Sequence, residues 1–322
     1  MKIAVVGTGA MGSVYAALLS EAGNEVWAVD TWAEHIQAIQ ENGLRVEGKS
    51  GDRTLRLDAT TEPAEVGPCE LVIVATKAQD VAAAAKSLTP LLGNDTMILT
   101  IQNGIGAPER IAAAIQSDNI LNGIAGGFGA SIKGPGHAHH NNMQLIALAE
   151  LAGPATPRLE KVARVWSEAG FTVKTSDDVT QMVWEKLICN VAYSGPCTVT
   201  RRTIGEVQAS ENMWAVSSAC AREAYEVARA KGVPLSFDDP IAHVRAFGEK
   251  MPHARPSMLL DHLNRRRSEI DHINGAIPVL GAEVDVPAPA NEVVSALVRA
   301  LEEDFGSGRK TAPTGPPPPD RG

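Results

Sequence analysis

The stretch MKIAVVGTGAMGSVYAALLSEAG, residues 1–23, decides the fold of the first half of this chain. The apolar run at residues 2–6 predicts a buried strand, and the alanine- and leucine-rich stretch that ends the quotation predicts a helix. Gly7, Gly9 and Gly12 lie between or just inside these elements in a GxGxxG pattern. Because a helix N-terminus offers free N–H groups and positive dipole, this strand–loop–helix unit is typical of a dinucleotide diphosphate site.

Each glycine of the pattern has its own physical reason. Gly7 permits a tight turn, Gly9 lets a diphosphate approach the backbone, and Gly12 lets the helix pack against the strand. An ordinary strand–helix turn is the alternative, but such a turn needs only one glycine. The predicted cofactor-binding loop therefore consists of six residues, Gly7, Thr8, Gly9, Ala10, Met11 and Gly12.

The end of the second predicted strand, residues 25–29, indicates which dinucleotide binds. Asp30 follows it, 23 residues after Gly7, where a carboxylate can accept hydrogen bonds from the adenosine ribose. The carboxylate would repel a 2′-phosphate, and residues 31–35 (TWAEH) contain no arginine to receive one. NAD(H) is therefore favoured over NADP(H). The alternative role for Asp30 is the N-cap of the next helix.

Composition limits the class of protein. The chain has 322 residues, which predicts two domains, and a net charge of −9, which argues against nucleic acid as the main partner. No apolar stretch reaches about 18 residues, which argues against a membrane span. The four cysteines have no CxxC spacing and are expected to be reduced structural thiols. A cytoplasmic protein is predicted, and the sequence leaves open a homodimer.

The order of predicted elements gives the architecture. Further strands at 71–76 and 97–101 alternate with helices, which predicts a doubly wound parallel sheet of Rossmann type. LRVEG and RTLRL, between residues 44 and 57, suggest a short exposed hairpin. The chain then becomes glycine-rich from about residue 120, and helical after residue 179, with breaks expected near residues 195, 232–240 and 252–256. We predict an α/β fold with three parts: a dinucleotide-binding domain at 1–176, an all-helical catalytic domain at 177–306 and a disordered proline-rich tail at 307–322.

Five motifs in order carry a resemblance to a known family. The glycine loop is followed by VIVATKAQD (72–80), IQNGIG (101–106), WEKLICNVAYSGPCTVTRRTIGE (184–206) and RPSMLLDHLNRRRSEIDHINGAI (255–277). Together they resemble the ketopantoate reductase (2-dehydropantoate 2-reductase) family, from Met1 to about Phe305. The resemblance implies reduction of a 2-oxo acid to a D-2-hydroxy acid, with hydride supplied by a nicotinamide cofactor.

The resemblance implies that Lys186 donates the proton. A lysine in a dry cleft has a lowered pKa, so it can protonate a forming alkoxide. Asn190, four residues on and thus on the same helix face, could hydrogen-bond the substrate. Without the resemblance, EKLICN (185–190) favours an amphipathic helix with a solvated lysine over a catalytic one.

Four further residues take their roles from the resemblance. Glu269 matches an acidic residue that orients the catalytic centre, and Ser257 matches a carboxylate-binding serine. Asn103 matches an asparagine near the nicotinamide ribose and the substrate, and Lys77 matches a lysine that contacts the cofactor. The simpler alternatives are an ion pair of Glu269 with nearby arginines, an N-cap at Ser257 and an Asn-Gly turn at Asn103.

One departure from the family pattern concerns the substrate. Ser194 stands where the best-known members have a second substrate-binding asparagine, so the contact with the substrate differs. Ketopantoate reduction therefore competes with an NAD-dependent D-2-hydroxyacid dehydrogenase activity of the D-mandelate kind. A non-catalytic dinucleotide-sensing protein is the alternative from another class.

The HAHH stretch, residues 137–140, superficially resembles a metal site. His137 and His139 alternate and could reach one ion, but the sequence places no acidic or cysteine residue close by. We therefore expect no metal cofactor and a small 2-oxo or 2-hydroxy acid as the only ligand besides the dinucleotide.

Overall fold

A computed structural model of the chain describes residues 1–127, 129–142 and 145–305. The strands of the chain are β1 (Lys2–Val6), β2 (Glu25–Val29), β3 (Leu44–Gly48), β4 (Arg53–Leu55), β5 (Asp58–Thr60), β6 (Leu71–Val74), β7 (Met97–Thr100), β8 (Ile120–Gly126), β9 (Gly129–Gly134), β10 (His137–Asn142), β11 (Leu145–Glu150) and β12 (Val173–Ser176).

Five helices accompany these strands, namely α1 (Ala10–Glu21), α2 (Ala33–Asn42), α3 (Val81–Ser87), α4 (Ala107–Ala114) and α5 (Pro157–Glu168). The rest of the described chain is helical and consists of α6 (Val179–Thr200), α7 (Ile204–Ala209), α8 (Glu211–Ala230), α9 (Pro240–Glu249), α10 (Ser257–Leu263), α11 (Ala276–Ala282) and α12 (Pro289–Glu303). The prediction of a sheet-based first half and a helical second half is confirmed.

The main sheet has the strand order β12-β11-β8-β7-β6-β1-β2-β5. Neighbouring strands from β5 to β8 run parallel, and β11 runs antiparallel to β8. The predicted strands at 71–76 and 97–101 are confirmed within two residues at their ends. Because β1 lies between β6 and β2, its carboxyl end lies between the ends of those two strands, where open α/β sheets bind ligands.

The predicted exposed hairpin is half of a second sheet. β3 and β4 pair antiparallel as expected, but β3 also pairs parallel with β10, in a sheet of order β4-β3-β10-β9. This sheet packs on α1, which contacts the main sheet on its other side. Leu44 and Val46 are fully buried for that reason, so the expectation of an exposed hairpin is wrong.

The break expected near residue 195 does not occur, although the breaks near 232–240 and 252–256 do. α6 continues through Pro196, which has no N–H to donate to the carbonyl of Ala192 one turn earlier. The hydroxyl of Ser217, from α8, donates to that carbonyl at 2.5 Å instead. A side chain from a neighbouring helix thus replaces the missing hydrogen bond and keeps α6 continuous.

α6 joins the two halves of the molecule. It packs against α8, α10 and α12 in the helical half and also contacts β8 and β11 of the main sheet. Its first turns therefore lie at the seam between the halves. Among the described residues, no helix combines the length and apolar character needed to cross a bilayer. The predicted tail at 307–322 lies outside the described residues.

Replacing Ser217 tests the account of Pro196. The Ser217→Ala variant should lower the free energy of unfolding by about 1–3 kcal/mol, since it leaves the Ala192 carbonyl buried without that donor. Urea unfolding followed by circular dichroism measures the change. Ser218→Ala is the matched control, because the neighbouring Ser218 hydroxyl is buried with no partner among the described residues. Equal losses in the two variants would contradict the account.

Candidate active site at the domain seam

The glycine loop has the geometry that a dinucleotide diphosphate requires. Gly7 has φ +91°, and a Cβ there would lie 2.5 Å from the backbone nitrogen of Thr76. A Cβ on Gly12 would lie 2.2 Å from the carbonyl oxygen of Gly7. A Cβ on Gly9 would meet no described heavy atom within 4 Å. Gly7 and Gly12 are therefore required by packing, whereas Gly9 faces open space at the N-terminus of α1.

The other residues of the loop differ in which of their groups are exposed to a cofactor. Thr8 is fully buried, and its hydroxyl donates to the carbonyls of Val5 and Val29 at 3.0 and 3.3 Å. Only the backbone of Thr8 can therefore face a cofactor. Ala10 and Met11 are partly exposed in the first turn of α1.

Asp30 is half-buried directly after β2. Its Oδ1 accepts a hydrogen bond from the Trp32 amide at 2.9 Å, and Trp32 is the N-cap residue of α2. The alternative role of Asp30 as that N-cap is therefore wrong. The turn holds the carboxylate at the carboxyl edge of the sheet, where its second oxygen can accept from a ribose hydroxyl.

Three side chains meet across the seam. The Lys186 Nζ donates to Asn103 Oδ1 at 2.8 Å and to the carbonyl of Ala125 in β8 at 2.9 Å. Asn103 Nδ2 donates in turn to Glu269 Oε2 at 3.3 Å. The Asn103 amide thus links an ammonium from α6 to a carboxylate that follows α10, and we call these three residues the Lys–Asn–Glu network.

The Lys–Asn–Glu network controls the charge of its lysine. Withdrawal from water lowers the pKa of Lys186 to about 8, and the nearby negative charge of Glu269 opposes part of that shift. The ammonium can therefore release a proton close to neutral pH. This is the property that a general acid needs.

Glu269 is anchored to the sheet-based half. Its side chain is buried, and its Oε1 accepts a hydrogen bond from the Ala78 amide at 3.0 Å. The carboxylate therefore accepts hydrogen bonds across the seam from the backbone amide of Ala78 and the side-chain amide of Asn103. The alternative of an arginine ion pair is wrong.

Asn103 and Gly104 lie in a bend, at the position where the Asn-Gly turn was the alternative. Gly104 has φ +83°, and a Cβ there would lie 2.2 Å from the carbonyl oxygen of His272. This close fit at Gly104 and the hydrogen bonds of Asn103 to Lys186 and Glu269 are therefore compatible.

The remaining predicted residues are spread around this centre. Asn190 lies one turn after Lys186 on α6 and is partly exposed, and Ser194 lies a further turn on and is 5% exposed. Ser257 is exposed and is the first residue of α10, with Pro256 as N-cap, so the N-cap alternative for Ser257 is wrong. A turn separates α10 from Glu269, so Ser257 and Glu269 belong to different elements.

Two supporting residues were not predicted from the sequence. Gln102 donates to the carbonyls of Val74 and Thr76 at 2.7 and 3.1 Å, which ties the ends of β6 and β7 together beside Asn103. Asp261 accepts from Lys77 at 2.5 Å across the seam. Gln102 could have been found from the sequence, because it follows a buried strand. No local sequence pattern marks Asp261.

The expectation that no acidic residue lies near HAHH is wrong. Because β3 pairs with β10, Glu47 lies 3.3 Å from His137 Nε2 and 3.2 Å from His139 Nδ1. The Arg45 guanidinium also contacts the Glu47 carboxylate at 3.2 Å. Among the described residues, no group of three or more His, Cys, Asp or Glu side chains is arranged to hold a metal ion.

Comparison with known proteins gives the family. Residues 3–153 match the family model described as ketopantoate reductase PanE/ApbA, and residues 178–302 match that of its C-terminal part. The chain belongs to the ketopantoate reductase family. It is therefore a dinucleotide-dependent oxidoreductase that acts on a small molecule, as the sequence predicted.

Individual relatives cover nearly the whole chain. The 2-dehydropantoate 2-reductase of Streptococcus pyogenes serotype M1 is 30% identical over 303 residues, which cover 94% of this chain and 98% of the relative. A ketopantoate reductase structure from Ralstonia eutropha JMP134 has a TM-score of 0.87 at 33% identity, with 95% and 99% of the two chains covered. A ternary structure of D-mandelate dehydrogenase with NADH and anilino(oxo)acetate has a TM-score of 0.87 at 30% identity, with the same coverage.

Two alanine substitutions separate the packing role of the glycine loop from its binding role. Gly9→Ala should change the free energy of unfolding by no more than about 0.5 kcal/mol, because its methyl group enters open space. It should weaken dinucleotide binding by at least about tenfold, since the methyl occupies the path of the diphosphate. Urea unfolding and cofactor fluorescence titration measure the two effects.

Gly12→Ala is the matched comparison. Its methyl group would collide with the Gly7 carbonyl, so we expect a loss of stability of about 1–3 kcal/mol as well as weaker binding. Wild-type cofactor affinity in Gly9→Ala would show that the diphosphate does not bind at this loop.

Proposed function

We propose that this protein reduces a 2-oxo acid to the D-2-hydroxy acid with NADH, with Lys186 as the proton donor. The observation that supports this most is the Lys–Asn–Glu network, which lies beside the carboxyl edge of a sheet with a dinucleotide loop. In this proposal residues 1–176 bind the dinucleotide, and residues 177–306 supply Lys186, Glu269 and most of the substrate contacts.

The hydrogen bonds of Lys186 suggest how the proton moves. An ammonium has three N–H donors. Asn103 and Ala125 accept two of them, and no partner for the third occurs among the described residues. The third N–H can therefore point to the ketone oxygen of the substrate. When bound, the nicotinamide supplies the hydride, and Lys186 stabilises and then protonates the alkoxide oxygen.

The other side chains of the site orient Lys186 or bind the substrate and the cofactor. Glu269 favours the charged form of Lys186 before the reaction. Asn103 hydrogen-bonds to both side chains and so fixes their relative positions. We assign the substrate contacts to Asn103, Asn190, Ser194 and Ser257, and cofactor contacts to the glycine loop, Asp30, Lys77 and Asn103.

Two sets of observations favour different substrates. Relatives named 2-dehydropantoate 2-reductase favour ketopantoate. Asp30, the shorter Ser194 and the resemblance to a D-mandelate dehydrogenase bound to NADH favour a bulkier 2-oxo acid. A panel of 2-oxo acids that includes ketopantoate and phenylglyoxylate, assayed with NADH and with NADPH, distinguishes the two. Cofactor binding without turnover of any panel member would favour a dinucleotide-sensing protein.

Asp30 should set the cofactor preference. NADH should give the higher kcat/KM, because the carboxylate accepts from the ribose hydroxyls and repels a 2′-phosphate. Asp30→Ala should lower the ratio of kcat/KM with NADH to kcat/KM with NADPH by about tenfold. Steady-state kinetics with both cofactors and one 2-oxo acid measures the ratio. A tenfold preference of the wild type for NADPH would contradict the assignment.

Lys186 should control the chemical step. Lys186→Ala should lower kcat by roughly 10²- to 10⁴-fold and leave NADH affinity unchanged, since proton donation contributes about that much to the rate. In the wild type, kcat for reduction should fall as the pH rises through about 8, where the ammonium loses its proton. This alkaline limb should be absent from the pH profile of the alanine variant.

Lys186→Arg is the matched control for charge. A guanidinium keeps the positive charge but does not release a proton near neutral pH, so this variant should recover little activity. Near-wild-type kcat and an unchanged alkaline limb in Lys186→Ala would show that another group donates the proton.

A further inference from the structure

The segment that follows Glu269 is wound into a short hydrogen-bonded turn. It contains the 3₁₀ turn Ile270–His272, and the Glu269 carbonyl accepts a hydrogen bond from the His272 amide at 3.0 Å. The Gly275 amide donates to the carbonyl of the first residue of the 3₁₀ turn at 2.9 Å. Residues 269–275 therefore form one compact unit, which we call the Glu269 turn.

Asn274 joins the Glu269 turn to the helix that carries Lys186. The Asn274 side chain is fully buried, and its Nδ2 donates to the carbonyl of Val191 in α6 at 2.9 Å. The same nitrogen donates to Asn291 Oδ1 in α12, also at 2.9 Å. Val191 follows Lys186 by five residues on α6. Because α6 is one continuous helix, the contact with Val191 fixes the Glu269 turn relative to Lys186.

The surface of α6 is shaped for this contact. Gly195 lies inside α6, where glycine is less favourable than alanine. A Cβ at Gly195 would lie 2.9 Å from Asn274 Oδ1 and 2.3 Å from Val294 Cγ1 of α12. The Asn274 Oδ1 is itself buried without a hydrogen-bond partner among the described residues, so this amide adds less to stability than a fully paired one would. Its clearest effect is on where the Glu269 turn lies.

The other side of the Glu269 turn contacts the sheet-based half. The His272 carbonyl accepts a hydrogen bond from the Ile105 amide at 3.2 Å, and the absence of a side chain at Gly104 lets the two backbones approach. The Glu269 carboxylate accepts from Asn103 on this side as well. The Glu269 turn therefore lies between α6 and the loop that carries Asn103, and it has hydrogen bonds to both.

We propose that Asn274 is a positioning residue for the proton donor, because it holds the Glu269 turn on α6 and so keeps the Glu269 carboxylate next to Lys186. Asn274 itself contacts neither the substrate nor the cofactor in this role. Without its bond to Val191, the Glu269 turn would keep its bonds to the sheet-based half, and the carboxylate would lie farther from α6. This role rests on the proposed function, in which Lys186 donates the proton.

A titration of Lys186 in the protein without substrate tests this role. The negative charge of Glu269 opposes the effect of burial on the pKa of Lys186, so a more distant carboxylate should lower the titration midpoint. In Asn274→Ala we expect the midpoint to fall by about half a pH unit, measured on protein labelled with carbon-13 at the lysine ε position. With substrate, kcat should fall about tenfold and the NADH dissociation constant should stay within about twofold, since only the reacting groups are misplaced.

Ser217→Ala is the matched control. The Ser217 hydroxyl donates to the carbonyl of Ala192, the neighbour of Val191 in α6, at 2.5 Å. This variant therefore also loses one buried hydrogen bond to α6, but it leaves the Glu269 turn in place, and the Lys186 midpoint should not change. Thermal unfolding of each variant establishes that it is folded.

Two further variants make the test specific. Gly195→Ala keeps the Asn274 amide but pushes it away from α6, so it should lower the Lys186 midpoint in the same direction. In a Glu269→Gln background, Asn274→Ala should cause no further shift, because the charge through which Asn274 acts is absent.

The outcomes separate this role from the proposed function. An unchanged midpoint in Asn274→Ala, an equal shift in Ser217→Ala, or a shift that persists in the Glu269→Gln background would overturn the role, even if the wild type reduces 2-oxo acids. A rise of the midpoint would also overturn it, because it would mean that water had entered the seam. A fall that depends on Glu269 supports the role even if no acid in the panel is reduced.

Discussion

The side-chain amide of Asn103 is the contact on which the site depends. Its oxygen accepts from the Lys186 ammonium while its nitrogen donates to the Glu269 carboxylate, so one planar group satisfies a cation and an anion together. An aspartate at this position would repel Glu269. An aliphatic residue would remove one hydrogen bond from each charge in a low-dielectric seam, so that Lys186 would keep the Ala125 carbonyl and Glu269 would keep the Ala78 amide. The amide therefore lets a lysine and a glutamate from the helical half face the carboxyl edge of the sheet.

The sequence predicted the parts of the fold that local patterns encode. The glycine loop, the buried strands and the switch to helices follow from hydrophobic period and from the requirement for glycine. The parallel pairing of β3 with β10 joins segments about 90 residues apart, and no local pattern specifies it. Pro196 indicated a helix break by local rules, but Ser217 from another helix satisfies the freed carbonyl.

The candidate site was less predictable than the fold. Lys186, Asn103 and Glu269 lie far apart in the chain, and only the family resemblance grouped them before their side chains were found in contact. Spacing alone could not do so, because the Lys186–Asn103 and Asn103–Glu269 contacts span 83 and 166 residues. The interdomain partner of Lys77 depends on how the halves pack, which local sequence rules do not address.

We propose that the seam makes Lys186 a proton donor near neutral pH, and a titration of this lysine tests the proposal most directly. In protein labelled with carbon-13 at the lysine ε position, the Lys186 signal is assigned by its loss in Lys186→Arg. We expect a titration midpoint of about 8 for that signal. A midpoint of about 10.4, the value of a solvated lysine, would contradict it.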